Sequence, residues 1–239
     1  MPYTVALVHT RLRSVDLLNR EFSLHLPHVY KFNILDDTIY FEMAQNGLTP
    51  RLLNRLIQHF TWAELMRANI VLNTTTVLDP AVPICQKFVS IPILRFNEPM
   101  CEQAITEGRR ICVLGSVEQA IGAVADLLRE VAGRQDREVE VISKHVPEAH
   151  EQLDMGNWDM HNRLMVEAVR GLAGQCDVIM IAQIPLLPLI PVLKREIDVP
   201  ILGSAEPMIA RLTKIVSSRV PTPLPHLPRG APGAQETVV

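Results

Sequence analysis

The residues of this chain equipped for chemistry gather where its apolar runs break. Asn73, Thr74, Thr75 and Thr76 follow one such run and precede a helical segment. Their hydroxyls, the amide and the N–H groups of the helix start could hold a carboxylate or a developing enediolate. Capping of the helix would use the same groups. Gln183 interrupts a second apolar run, where an unpaired amide is costly, so it needs a ligand or a backbone carbonyl as partner. Thr10 and Ser116 stand at matching strand-to-helix turns, and anion binding and capping account for them equally well. His9 ends the first strand and ranks first for moving a proton, since an imidazole titrates near neutral pH. His145, His150 and His161 read as surface or helix residues.

Other chemistries find less support. His145, His150 and His161 with Glu148 and Glu151 match no standard ligand spacing, so no metal site is expected. No phosphate loop, dinucleotide glycine pattern or nucleophile elbow occurs, and no cofactor is expected. Glu98 and Glu206 occupy the same place in two copies of one unit, which favours a structural role over that of a general base. Cys85, Cys112 and Cys176 read as buried, inert thiols, with Cys101 less defined.

The elements that must position these residues come in duplicate. Residues 69–100 and 177–208 align without a gap at an offset of 108, pairing Pro80 with Pro188, Pro83 with Pro191 and Pro92 with Pro200. Both copies end in Glu-Pro-Met. Each reads as strand, polar turn, helical segment and Pro-led strand, the pattern of a duplicated α/β fold. Ligands of such folds sit at the carboxyl ends of the strands, so the breaks at 73–76 and 182–183 should face one cleft.

Upstream of the first copy, strands are predicted at 3–8 and 29–35 and helices at 15–24 and 51–69, with Thr49 as N-cap and Pro50 at the first helical position. The second half predicts strands at 111–114 and 139–143 and helices at 117–132 and 159–174, with loop plus helix between 145 and 157. A last helix is expected at 209–217, and a Pro- and Gly-rich disordered tail over 219–239. The expected division is a first half of 1–100, joined by helix 209–217, and a second half of 101–208.

The 239 residues suffice for well-buried cores. At net charge −3 no basic excess exists to neutralise phosphates, which argues against nucleic acid as a partner. The longest apolar run is too broken by prolines to span a bilayer, and the four cysteines form no CxxC pair. A soluble protein in a reduced, cytoplasmic setting is the expectation.

In this order, several segments resemble the aspartate/glutamate/hydantoin racemase superfamily. They are ALVHT at 6–10, the Asp36-Asp37-Thr38 segment, GLTP at 47–50, IPILRFNEPM at 91–100, RRICVLGS at 109–116, Gly156-Asn157 with His161-Asn162, and DVIMIAQ at 177–183. The resemblance implies two pseudo-symmetric α/β halves and proton movement, or decarboxylation, at the carbon next to a carboxylate. It also implies that the 73–76 turn binds substrate rather than merely capping a helix. The chain departs from the family at its two cysteine positions, which fall on Thr75 and Gln183. A threonine hydroxyl is too weak an acid to replace a thiolate and a glutamine amide does not titrate, so a two-cysteine relay is excluded. The turn after the third strand differs too, with Ser116-Val117-Glu118-Gln119 where threonines are usual. Thr75, Gln183 and His9 are thus the catalytic candidates, and Thr10, Asn73, Thr74, Thr76 and Ser116 the substrate-binding ones. The expected function is an isomerase or carbon–carbon lyase acting on a small carboxylate or carbonyl compound through an enolate-like intermediate. The competing expectation is a homologue that keeps the cleft for binding or regulation and has lost the chemistry. A homodimer is left open.

Overall fold

The computed structural model of the protein describes residues 2–218. The tail expected to be disordered, 219–239, lies outside the described residues. In the first half, strands β1 (Thr4–His9), β2 (Tyr30–Leu35), β3 (Ile70–Asn73) and β4 (Ile93–Arg95) alternate with helices α1 (Leu12–His25), α2 (Thr38–Asn46), α3 (Pro50–Leu65), α4 (Val82–Cys85) and α5 (Glu98–Glu107). The second half repeats the plan with β5 (Arg110–Gly115), β6 (Glu140–His145), β7 (Val178–Ile181) and β8 (Ile201–Leu202). Its helices are α6 (Glu118–Arg134), α7 (Pro147–Asp154), α8 (Trp158–Arg170), α9 (Ile190–Leu193) and α10 (Ala205–Ser218).

Each half holds one parallel sheet, ordered β2-β1-β3-β4 and β6-β5-β7-β8. The central strands are buried on both faces, as helix crossovers on a parallel sheet require. Side chains alternate between the faces: Ala6 and Val8 pack with α3 through Leu52, Leu56 and Phe60, while Val5 and Leu7 pack with α1 through Leu18 and Phe22. The result is a duplicated α/β fold of two three-layer halves.

The repeated prolines shape the segment after each inner strand. Pro80 and Pro188 lie inside 3-10 turns, Thr76–Ala81 and Ile184–Leu189, and a single α-helical turn follows each. A proline removes an N–H donor, so neither segment grows into a long helix. Thr49 caps α3 by accepting from Leu52 N at 3.1 Å, with Pro50 at the first position. That helix ends at Leu65, earlier than predicted, because Arg67 turns left-handed (φ 60°) and Ala68 N closes back onto Ala63 O. The Glu-Pro-Met triplets open helices instead of ending strands. Proline is tolerated in a first turn, so α5 starts at Glu98 and α10 already at Ala205.

These two helices are exchanged between the halves. α5 leaves the first sheet, yet Met100, Cys101, Ala104 and Ile105 pack against Ile111, Val113, Val178 and Met180 of the second. α10 leaves the second sheet, and Met208, Ile209 and Leu212 pack against Val5, Leu7, Ile70 and Leu72 of the first. Full burial of one such side chain contributes about 1.5–3 kcal/mol, so the exchange ties the halves together.

An ion network reinforces the junction. Arg95, buried at the end of β4, donates to both carboxylate oxygens of Glu130 on α6 at 2.7 and 2.9 Å, and to Glu98 at 3.2 Å. Arg134 of α6 also donates to Glu98. Burial alone would lower the Arg95 guanidinium, but these bonds outweigh it and hold it above its ordinary value. Arg95→Met is expected to lower the free energy of unfolding in urea by about 2 kcal/mol. That is less than the 3–5 kcal/mol for a fully buried pair, because half-exposed Glu130 regains water. An unchanged unfolding midpoint would show that the network adds nothing to the junction.

Candidate functional site

A cleft of about 330 Å³ opens where the carboxyl ends of β1, β3 and β7 meet the turns that follow them. The first half contributes the hydroxyl side chains Thr10, Ser14, Tyr40, Thr74, Thr75 and Thr76, together with Arg11 and Arg13. The second half contributes a mostly apolar wall of Val117, Ala120, Leu153, Ile184 and Pro185, in which Gln183, His150 and Asp154 are the polar members.

On the first-half side, Thr10 and Thr75 share a hydrogen bond between their hydroxyls at 3.1 Å. Thr75 precedes the 3-10 turn but makes no side-chain cap, and α1 opens at Arg11 without one as well. Capping therefore does not occupy these hydroxyls. The first turn of α1 (Leu12, Arg13 and Ser14) lines the cleft, so the start of this helix adds backbone donors and a favourable dipole for an anion. Thr76 Oγ1 accepts from Asn97 Nδ2 at 2.8 Å, which fixes the far side of the turn.

One layer below lie residues that shape the turn without reaching the cleft. Asn73 is fully buried; its Nδ2 donates to Thr75 O at 3.1 Å and to Asp79 Oδ1 at 2.8 Å. Burial pushes the Asp79 carboxyl up to about 8, with the Asn73 amide and the Arg95 charge partly opposing it. His9 is fully buried too. Its Nε2 pairs with Asn33 Oδ1 at 3.0 Å and its Nδ1 with Thr74 Oγ1 at 2.9 Å. Burial drives the imidazole down to about 4 and keeps it neutral, despite the bond to Asn33. The end of β1 turns this residue inward, so the leading histidine of the sequence reading props up Thr74 and does not reach the cleft.

The second-half side is built differently. The Gln183 side-chain oxygen meets backbone donors, where a backbone carbonyl was one expected partner of the amide. Its Oε1 accepts from Ser116 N at 2.6 Å, from Val117 N at 3.3 Å and from Ser116 Oγ at 3.3 Å. Gly115 makes room for this, since a Cβ there would lie 2.9 Å from Oε1. Ser116 is consequently buried beneath the glutamine. What Gln183 has left to offer the cleft is its amide N–H₂.

His150 and Asp154 come from α7, within the stretch read as loop plus helix. One helical turn apart, they place Nε2 of the imidazole 3.6 Å from the Asp154 carboxylate, and Nδ1 has no partner among the described residues. The sequence reading groups His150 with the surface or helix histidines; its i, i+4 spacing to Asp154 is the signal that could have found the pair. The aromatic rims escape that reading as well: Arg11 stacks on Tyr40 with 3.8 Å to the ring centroid, and Arg13 crosses to Trp158 of the other half at 3.6 Å. Asp36 anchors the helix that carries Tyr40. Arg55 and His59 bond to its carboxylate at 2.5 and 2.9 Å.

Of the eight site residues expected from the sequence, Thr10, Thr74, Thr75, Thr76 and Gln183 line the cleft, and His9, Asn73 and Ser116 lie under it. Glu98 and Glu206 line none of it, and Glu98 serves the Arg95 network. Among the described residues no three histidine, cysteine or acidic side chains are placed to hold a metal. All four cysteines are buried free thiols, and burial pushes Cys85 up to about 11 and Cys112 up to about 12. No helix of the described residues is long and apolar enough to cross a membrane.

Solved structures share this architecture at low identity. The aspartate racemase of Picrophilus torridus superposes with a TM-score of 0.69 at 13% identity, covering 90% of this chain and 94% of that one. The glutamate racemase of Bacillus anthracis gives 0.66 at 16%, covering 90% and 82%. The allantoin racemase of Klebsiella pneumoniae gives 0.62 at 10%, covering 90% and 88%. These likenesses establish the fold. No curated protein sequence matches the chain. The family model described as Asp/Glu/Hydantoin racemase matches residues 41–212, well over half of the chain, and the chain therefore belongs to that family.

Proposed function

We propose that the cleft moves a proton at the carbon next to a carboxylate or carbonyl group, through an enediolate-like intermediate and without a two-cysteine relay. The observation that carries this reading is that His150 lines the cleft from the second half while the threonine turn lines it from the first. The substrate carboxylate sits on Thr10, Thr75 and the first turn of α1. Negative charge developing on its oxygens is met there by hydroxyls and N–H groups already oriented for it. His150, oriented by Asp154, takes the α-proton and returns it. The Gln183 amide supplies a further donor. One base on one wall returns the proton to the face it left, so the expected outcome is exchange with retention, or isomerisation by delivery to a neighbouring atom, instead of racemisation.

The test is proton NMR in deuterated water with 2-substituted carboxylates, malonates and hydantoins. Loss of an α-proton signal with unchanged optical rotation supports the reading. Racemisation at the rate of exchange would require a second proton-moving group and refute the single-base mechanism.

The filling of the Ser116–Val117 turn by Gln183 favours a second reading, a binding protein that retains the cleft alone. Thr75→Cys distinguishes the two. If proton exchange appears only in that variant, the natural chain binds without catalysing. Exchange already present in the natural chain excludes this second reading.

A further inference from the structure

The two strand-to-helix turns facing the cleft are equivalent in the duplication and opposite in state. At the first, Thr10 and Thr75 bond to each other and both line the cleft. At the second, the Gln183 carbonyl already fills the position an anion would take, accepting from Ser116 N and Val117 N. A side-chain amide oxygen held by two backbone donors is a close stand-in for one carboxylate oxygen. The cleft charge agrees with a single vacancy: two arginines and one aspartate among the lining side chains leave one net positive charge. Beyond the filled turn the wall is mostly apolar, formed by Val117, Ala120, Leu153, Ile184 and Pro185, and the one charge on it, Asp154, is negative.

We infer that the ligand is a monocarboxylate with a small apolar substituent, and that Gln183 sets this specificity by occupying the place of a second carboxylate. The carboxylate lies on the first-half turn, as in the proposed function on which this inference rests, and the substituent lies on the apolar wall. A dicarboxylate would have to leave its second charge against that wall, a desolvation without compensation.

A matched pair of probes tests this in the full-length protein: 2-methylbutanoate and 2-methylsuccinate, which differ by a terminal methyl against a carboxylate. Titration calorimetry is expected to show the monocarboxylate binding at least tenfold more tightly. Gln183→Ala frees the Ser116 and Val117 N–H groups and is expected to bring the two affinities within threefold. Gln183→Glu, which keeps an oxygen in the turn, is expected to retain the preference. Equal binding of both probes by the natural chain, tighter binding of the dicarboxylate, or binding of neither overturns the inference, and none of these depends on a variant folding. An unchanged preference in well-folded Gln183→Ala removes Gln183 as its cause. Tight, selective monocarboxylate binding without deuterium exchange would leave the specificity standing and refute the proton transfer, so the two failures are distinguishable.

Discussion

Replacing His150 with asparagine is expected to slow α-proton exchange by about 10²–10⁴-fold, the usual contribution of a positioned general base. Carboxylate affinity should stay within about threefold, because the threonine turn and the first turn of α1 remain intact. The imidazole is only partly exposed, with Nε2 3.6 Å from the Asp154 carboxylate and Nδ1 buried without a hydrogen-bond partner among the described residues, so its removal breaks no hydrogen bond. Its loss should therefore shift the melting temperature little, separating a chemical effect from a structural one. Asp154 orients the ring and stands largely in solvent, so Asp154→Asn should cost about tenfold. A variant lacking His150 that exchanges at the natural rate would transfer the proton's path to another group and end the mechanism proposed above.

Stability of the natural protein is expected to fall between about pH 4 and 8, and Asp79→Asn should abolish most of that slope. Asp79 is fully buried; its Oδ1 accepts from Asn73 and its Oδ2 has no partner among the described residues. Burial raises it from 3.8 to about 8, the nearby Glu98 and Glu130 charges add to the rise, and Asn73 and Arg95 oppose it. Below pH 4 both the folded and unfolded forms carry the proton. Above that the unfolded chain releases it while the folded one retains it, so deprotonation favours unfolding until the folded group titrates near 8. A tenfold difference in proton affinity between the two forms corresponds to about 1.4 kcal/mol, so the total reaches a few kcal/mol. Asparagine has the shape of the protonated acid, keeps an acceptor for Asn73, and carries no charge at any pH. Thermal melts at pH 5 and pH 8 should converge for the variant and diverge for the natural chain. Equal divergence in both would mean that other groups carry the slope. Asn73 also holds the carbonyl of Thr75, so the same ionisation acts on the residue that shapes the cleft turn.

Much of this architecture is a local property of the chain. The gapless repeat fixed two copies of one unit, and the apolar runs with their prolines dictated strands followed by short turns, which need no distant partner. Thr49 and Pro50 announced the start of α3 because a helix cap is a contact over three residues. The 73–76 turn was legible for the same reason, as a polar break at the carboxyl end of a buried strand. Helix α5 went unassigned because the glutamate and proline of its first turn resemble loop residues until the helix is seen, and α2 went unassigned because it opens with no side-chain cap to mark its start.

The sequence by itself thus determined the duplicated α/β fold and the polar turns that follow its inner strands. Only the tertiary structure decided which side chains reach the cleft. His9 turned inward because its orientation depends on the partners that Asn33 and Thr74 provide from other elements. Gln183 was satisfied by backbone donors 66 and 67 residues away, which no local pattern records. His150 entered the cleft because α7 is packed with that face toward it, and α5 and α10 crossed between the halves because their apolar faces fit the opposite sheets. Spacing along a chain sets what a segment can form; what a side chain meets there is set by contacts between segments that are far apart in sequence.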